Sequence, residues 1–120
     1  MSGTEEGFGA RVRRLREARE IGLRPFARMI GVSATYLSKI ERDELPPPAE
    51  ERVKEIAHLL DQDPDELLAL AGKVASDVSA IIKAQPREMA SFLRTARGLG
   101  LGPEEIRCLE EQAKRRKDRG

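Results

Sequence analysis

The sequence predicts an all-α chain, on three observations. Apolar residues recur three and four positions apart, as in Phe8, Val12 and Leu15 and again in Val53, Ile56, Ala57 and Leu60, which is the spacing of one buried helix face. Helix-start chemistry is explicit at Ser33 and at Asp63, Pro64 and Glu66, where a capping oxygen, a ring-fixed first turn and an acid in that turn follow one another. Glycines and prolines then punctuate the chain at intervals that suit short helices.

The elements follow in order. A first helix spans residues 8–19 with Phe8, Val12 and Leu15 inward. A second begins after Gly22, a tolerable N-cap without a side-chain acceptor, and places Pro25 in its first turn, where a missing N–H costs nothing. Gly31 ends it with a residue free to take a left-handed backbone, and Ser33 caps a third helix over residues 34–41. Asp43 stands where that helix must turn, a passable second choice to glycine. Leu45 and Pro46, Pro47 and Pro48 form an extended connection. A fourth helix covers residues 50–60, with Glu50 and Glu51 at the positive end of its dipole, and a fifth runs from Asp63 to Gly72. Residues 76–84, 86–97 and 103–117 read as three more, the last preceded by a joint of Gly98, Gly100 and Gly102.

The stretch GLRPFARMIGVSATYLSKIER, residues 22–42, carries the functional signal. Ala27, where the two helices cross, Phe26, Ile30, Val32, Leu37 and Ile40 form its apolar underside. Ala34, Thr35, Ser38 and Lys39 share the opposite face of the third helix, which is compact, neutral or positive and free of acids. An ordinary solvated helix in a helical core is the alternative, but such a surface more often carries Glu and long flexible side chains. A helix pressed against base edges needs short hydrogen-bonding groups and few anions.

These residues resemble the helix-turn-helix of the Xre family, the group of the lambda and 434 repressors and their Cro proteins. The similarity spans residues 8–72 and includes FARMIGVSATYLSKIER, the proline connection, VKEIAHLL and DPDELLALA. It implies a five-helix lambda-repressor-like DNA-binding domain, here residues 1–73, followed by a C-terminal helical extension, residues 74–120. It further implies sequence-specific binding of double-stranded DNA, usually by a homodimer on an inverted repeat. Carried over residue by residue, Ser33, Ala34, Thr35, Ser38 and Lys39 face the groove. Lys39 is the best candidate for a guanine contact, and Ala34 offers a methyl. Tyr36 matches a rim position where its hydroxyl reaches a phosphate, with core packing as the alternative. Leu23 replaces a polar phosphate-contacting residue, so Arg24 is expected to stand in for it, and Arg42 completes the DNA-contact set. Arg16 and Glu41 occupy positions that family members often pair, locking the reading head to the first helix; two solvated charges are the alternative.

Charge agrees with that orientation. The formal net charge of the 120-residue chain is +1, but residues 11–42 hold nine Lys or Arg against three acids, a net of +6. Residues 43–72 hold two bases against nine acids, a net of −7, which turns that side away from phosphates.

For residues 74–120 the apolar content, Val78, Ile81, Ile82, Met89, Phe92, Leu93, Ile106 and Leu109, exceeds what a solvated tail needs. One reading is dimerisation and another is packing back on the same domain. A third makes the chain an antitoxin or partner-controlled regulator whose C-terminal helices bind another protein. The closing KRRKDR suits a helix C-terminus ending in solvent, with phosphate contact as the minority view.

Other chemistry finds no support in the residues. His58 has no metal-ligand companion, Cys108 has no base beside it in sequence and no internal disulfide partner, and neither a phosphate-cradling glycine loop nor a nucleophile elbow occurs. No cofactor, metal or enzymatic activity is expected. The acidic start MSGTEEGFG lacks a signal-peptide pattern and no apolar run reaches membrane-spanning length, so a bacterial or phage-encoded cytoplasmic regulator is the expectation, most plainly a repressor.

Overall fold

A computed structural model describes residues 6–119, and among these the chain forms eight helices and no strands. In order they are α1 (Phe8–Ala18), α2 (Leu23–Ile30), α3 (Ala34–Glu41), α4 (Glu50–Leu59), α5 (Pro64–Leu70), α6 (Ser76–Ala84), α7 (Pro86–Gly98) and α8 (Pro103–Arg119). The chain divides into two compact units, the first ending at Ser76 and the second beginning at Asp77.

One backbone device closes α1, α2, α3, α4, α5 and α7. At the first residue past α2 and the second past each of the others the backbone turns left-handed; the N–H of that residue reaches back three residues, and the next N–H reaches back five. At the end of α2, Gly31 has φ of 74°, its N–H donates to the Arg28 carbonyl, and Val32 N–H donates to the Ala27 carbonyl at 2.9 Å. These paired bonds satisfy carbonyls that the end of a helix leaves without partners. Gly31, Gly72 and Gly100 adopt this backbone without a steric cost, whereas Glu20, Asp43 and Asp61 carry a Cβ through it at φ of 57°, 59° and 55°. Asp43 thus takes the turn expected of it. In the glycine joint the turning residue is Gly100, while Gly98 stays inside α7, because Leu99 N–H still finds the Thr95 carbonyl at 2.9 Å.

In the first unit, α3 packs against both α1 and α2, α2 also meets α4, and α4 packs on α5. The core they enclose is built from Phe8, Val12, Phe26, Ala27, Ile30, Leu37, Ile40, Val53, Ile56, Ala57, Leu60, Leu67 and Leu68, with Ala75 at its edge. Apart from two phenylalanines it is aliphatic. Asp63 Oδ1 accepts from the N–H of Asp65 and of Glu66 at the start of α5, so the cap and the proline cooperate. Pro48 is buried and ends the extended connection.

Gly9 marks the closest approach of α1 to α3. A Cβ at this buried position would lie 2.2 Å from the Ile40 carbonyl oxygen and 2.9 Å from that of Glu41. The two backbones meet there with no room for a methyl group.

In the second unit, none of the described residues of α7 and α8 is buried. Val78, Ile81, Phe92, Leu93, Leu99, Ile106 and Leu109 all remain exposed. No helix among the described residues is long and apolar enough to cross a membrane.

Candidate nucleic-acid interface

The geometry of α3 follows from its first residue. Ser33 holds an extended backbone and its Oγ accepts from the Tyr36 N–H at 3.0 Å, fixing the first turn. Eight helical residues follow, and they divide sharply. Leu37, Ile40 and Glu41 are buried, while Thr35 and Lys39 are exposed, one turn apart on the opposite side. Ser33 and Arg42 are exposed as well, and Ser38 is half-buried beside Lys39.

One groove candidate and the rim candidate serve the core too. Ala34 and Tyr36 are half-buried and pack against the apolar cluster, so each can offer only part of its surface outward. Tyr36 packs against the cluster while part of its side chain stays accessible.

Glu41 points inward and is met by Arg16 from α1. Arg16 Nε donates to Glu41 Oε2 at 2.8 Å and Nη2 donates to Oε1 at 2.9 Å, a two-point contact between side chains that are 9% and 3% exposed. The remaining guanidinium arm, Nη1, donates to the Ile21 carbonyl at 2.8 Å. One arginine therefore ties α1, the connection to α2 and the end of α3. Hydrogen bonding to Glu41 raises the Arg16 pKa further above its ordinary value, against the opposing effect of burial.

Arg52 of α4 supplies a second tie that sequence reasoning did not single out. Its Nη1 donates to the Ile30 carbonyl at the end of α2, immediately before the turn into α3. No local pattern announces this, since residues 30 and 52 meet only once α4 has folded against α2. Gly9 was missed for the same reason.

The cations on the surface fall into two groups. On α1, Arg11 and Arg14 both donate to the Glu6 carboxylate, and Arg13 pairs with Glu17. The hydrogen bonds from Arg14 and then Arg11 hold the Glu6 carboxyl down at about 2. Arg42 pairs with Glu44 at 3.1 Å. By contrast Arg24, Arg28 and Lys39 make no ion pair among the described residues. The positive charge of residues 11–42 is thus partly neutralised on α1 and left open on α2 and α3.

No cluster of His, Cys, Asp and Glu able to hold a metal ion occurs among the described residues, and His58 and Cys108 are exposed. The arrangement offers a rigidly mounted helix with small polar groups and an unpaired ammonium on its open side.

A model of a helix-turn-helix domain family matches residues 8–70 of the chain. Among solved structures, the master regulator for biofilm formation SinR in complex with DNA is 30% identical with a TM-score of 0.47, over 51% of this chain and 97% of that one. The P22 c2 repressor in complex with a synthetic operator is 30% identical with a TM-score of 0.48, over 52% of this chain and 94% of that one. The SinR–SinI complex is 23% identical with a TM-score of 0.48, over 92% of this chain and 98% of that one. No curated protein sequence matches.

Proposed function

Because the chain belongs to this helix-turn-helix domain family, in the Xre-type form typified by the lambda and 434 repressors, we propose that it is a sequence-specific DNA-binding transcriptional regulator that acts as a dimeric repressor. The observation that carries the reading is the outward face of α3. Thr35 and Lys39 stand free on it, Lys39 without an ion pair among the described residues, while Leu37, Ile40 and the Arg16-bound Glu41 anchor the opposite face.

In the major groove Lys39 donates to guanine O6 and N7, and Thr35 and Ser38 exchange hydrogen bonds with neighbouring base edges. The Ala34 methyl abuts a thymine methyl. Ser33 faces the groove with them, while Tyr36, Arg24 and Arg42 grip phosphates, which sets the register but not the sequence. Arg42 must exchange Glu44 for a phosphate to do so. Two heads related by a twofold axis engage half-sites roughly 34 Å apart, one turn of the duplex. Residues 1–73 act as the DNA-binding domain and residues 74–120 as the dimerising extension. Occupying an inverted repeat in this way excludes polymerase from the promoter.

Selection of bound duplexes from a random pool tests the reading. Recovery of an inverted repeat is expected, with the Thr35→Ala/Lys39→Ala variant losing affinity and selectivity for it at unchanged helicity. Equal affinity and selectivity of parent and variant would remove α3 from the role assigned to it.

A further inference from the structure

The second unit, taken by itself, has an unmet physical requirement. Phe92, Leu93, Ile106 and Leu109 of α7 and α8 are 52%, 48%, 52% and 39% exposed, and these side chains line two adjoining apolar grooves between the helices. Contiguous apolar surface of this kind marks a docking face. What covers it is indicated by the charge order of α8.

The first half of α8 carries Glu104, Glu105, Glu110 and Glu111 against a single Arg107; the second half carries Lys114, Arg115, Arg116 and Lys117 before Asp118. A helix with one acidic half and one basic half is complementary to itself when reversed, and repels itself when parallel. Turning one α8 end over end about a point between residues 109 and 110 brings Ile106 opposite the partner's Ala113 and Leu109 close to the partner's Leu109. The same operation sets Glu104 and Glu105 opposite the partner's Arg115 and the partner's Lys114. One register thus satisfies both the apolar stripe and the charges.

We propose that the α7–α8 face is covered by the same face of a second copy of this chain, with the two α8 helices antiparallel and held in register by their opposed acidic and basic halves. The proposal rests on the dimeric reading above and deepens it by naming the surface, the direction and the residues that set it. The interface is isologous, so each charge pair occurs twice. The solvent-exposed ion pair within one α8, Lys114 Nζ to Glu111 Oε1 at 3.4 Å, is weak enough to rearrange.

Three variants of the 120-residue chain test this by sedimentation equilibrium, with circular dichroism to verify that each remains as helical as the parent. The first is Glu104→Lys/Glu105→Lys, the second Lys114→Glu/Arg115→Glu, and the third combines all four substitutions. The parent is expected to be dimeric. The first two variants should each dissociate, with dimer affinity reduced roughly 10- to 100-fold, as four attractive contacts become repulsive. Mixed in equal amounts, the two should form a heterodimer, and the third variant should recover the homodimer. Single-half-site DNA binding should persist in the dissociated variants, because their reading heads are untouched.

Dimers unaffected by either reversal would overturn the antiparallel α8 interface while leaving the dimeric regulator standing. A parent that is monomeric at every concentration would overturn both and would assign the apolar face to a different protein. Loss of half-site binding in the dissociated variants would point away from an independent reading head and overturn the separation of roles.

Discussion

Arg16 and Glu41, 25 residues apart in the chain, meet through two hydrogen bonds of 2.8 and 2.9 Å at the contact between α1 and α3. The pair fixes the end of α3 to the body of the domain, because both charges are out of water and neither has another charged partner of comparable quality. Its geometry, a planar guanidinium against a carboxylate, is one that lysine cannot reproduce.

Removing one member should therefore cost more than a surface ion pair. Arg16→Met is expected to destabilise the first unit by about 3 kcal/mol, since it leaves the buried Glu41 carboxylate uncompensated. The double variant Arg16→Met/Glu41→Leu should be more stable than Arg16→Met alone. Urea unfolding of the three proteins measures this, and equal stabilities of parent and Arg16→Met would show that the pair contributes nothing.

The approach of α1 to α3 at Gly9 predicts a second large effect from a small change. Gly9→Ala places a methyl group 2.2 Å from the Ile40 carbonyl oxygen, and the obstruction is backbone rather than a flexible side chain. A loss of about 2 kcal/mol is expected despite the better helix propensity of alanine, because the helices must separate. A thermal melt at or above the parent's would show that they separate freely.

Acid should weaken the N-terminal end of α1 over a defined range. The Glu6 carboxyl is held at about 2 in the folded chain, below its ordinary value of 4.5, by its hydrogen bonds to Arg14 and Arg11. A carboxylate whose folded pKa is depressed stabilises the fold above its unfolded pKa. That contribution is lost as pH falls from about 4.5 towards 2. The melting temperatures of the parent and Glu6→Gln should differ at pH 6 and converge near pH 2, and a difference that stays constant would mean that Glu6 titrates normally.

Operator binding should weaken steeply with salt. Each phosphate neutralised by a Lys or Arg adds roughly 0.9 to the slope of log affinity against log salt. Arg24→Ala, which removes an exposed cation on α2, should lower that slope by about 1 per half-site while leaving the preferred sequence unchanged. Altered base preference at an unchanged slope would make Arg24 a base reader instead.

The helices were legible in the residues themselves because their signals are local. Ser33 caps α3 through a bond spanning three residues, Asp63 caps α5 within three, and Gly31 ends α2 by its own backbone freedom. The inward set Val53, Ile56, Ala57 and Leu60 follows from helical periodicity alone. The Arg16 and Glu41 positions were suggested by family resemblance, which supplied a long-range contact that spacing could not.

What the sequence by itself determined, then, was the order and type of the elements, the placement of charge along the chain, and the polar outward set of α3. Tertiary structure alone decided that Gly9 must lack a side chain, that Arg52 ties the end of α2 to α4, that Glu6 draws Arg11 and Arg14 together, and that Ala34 and Tyr36 share their surface with the core. The division has a physical origin. Caps, turns and amphipathic faces arise from interactions within a few residues, whereas steric clearance and ion pairing depend on distances between segments that packing sets only after the helices have met.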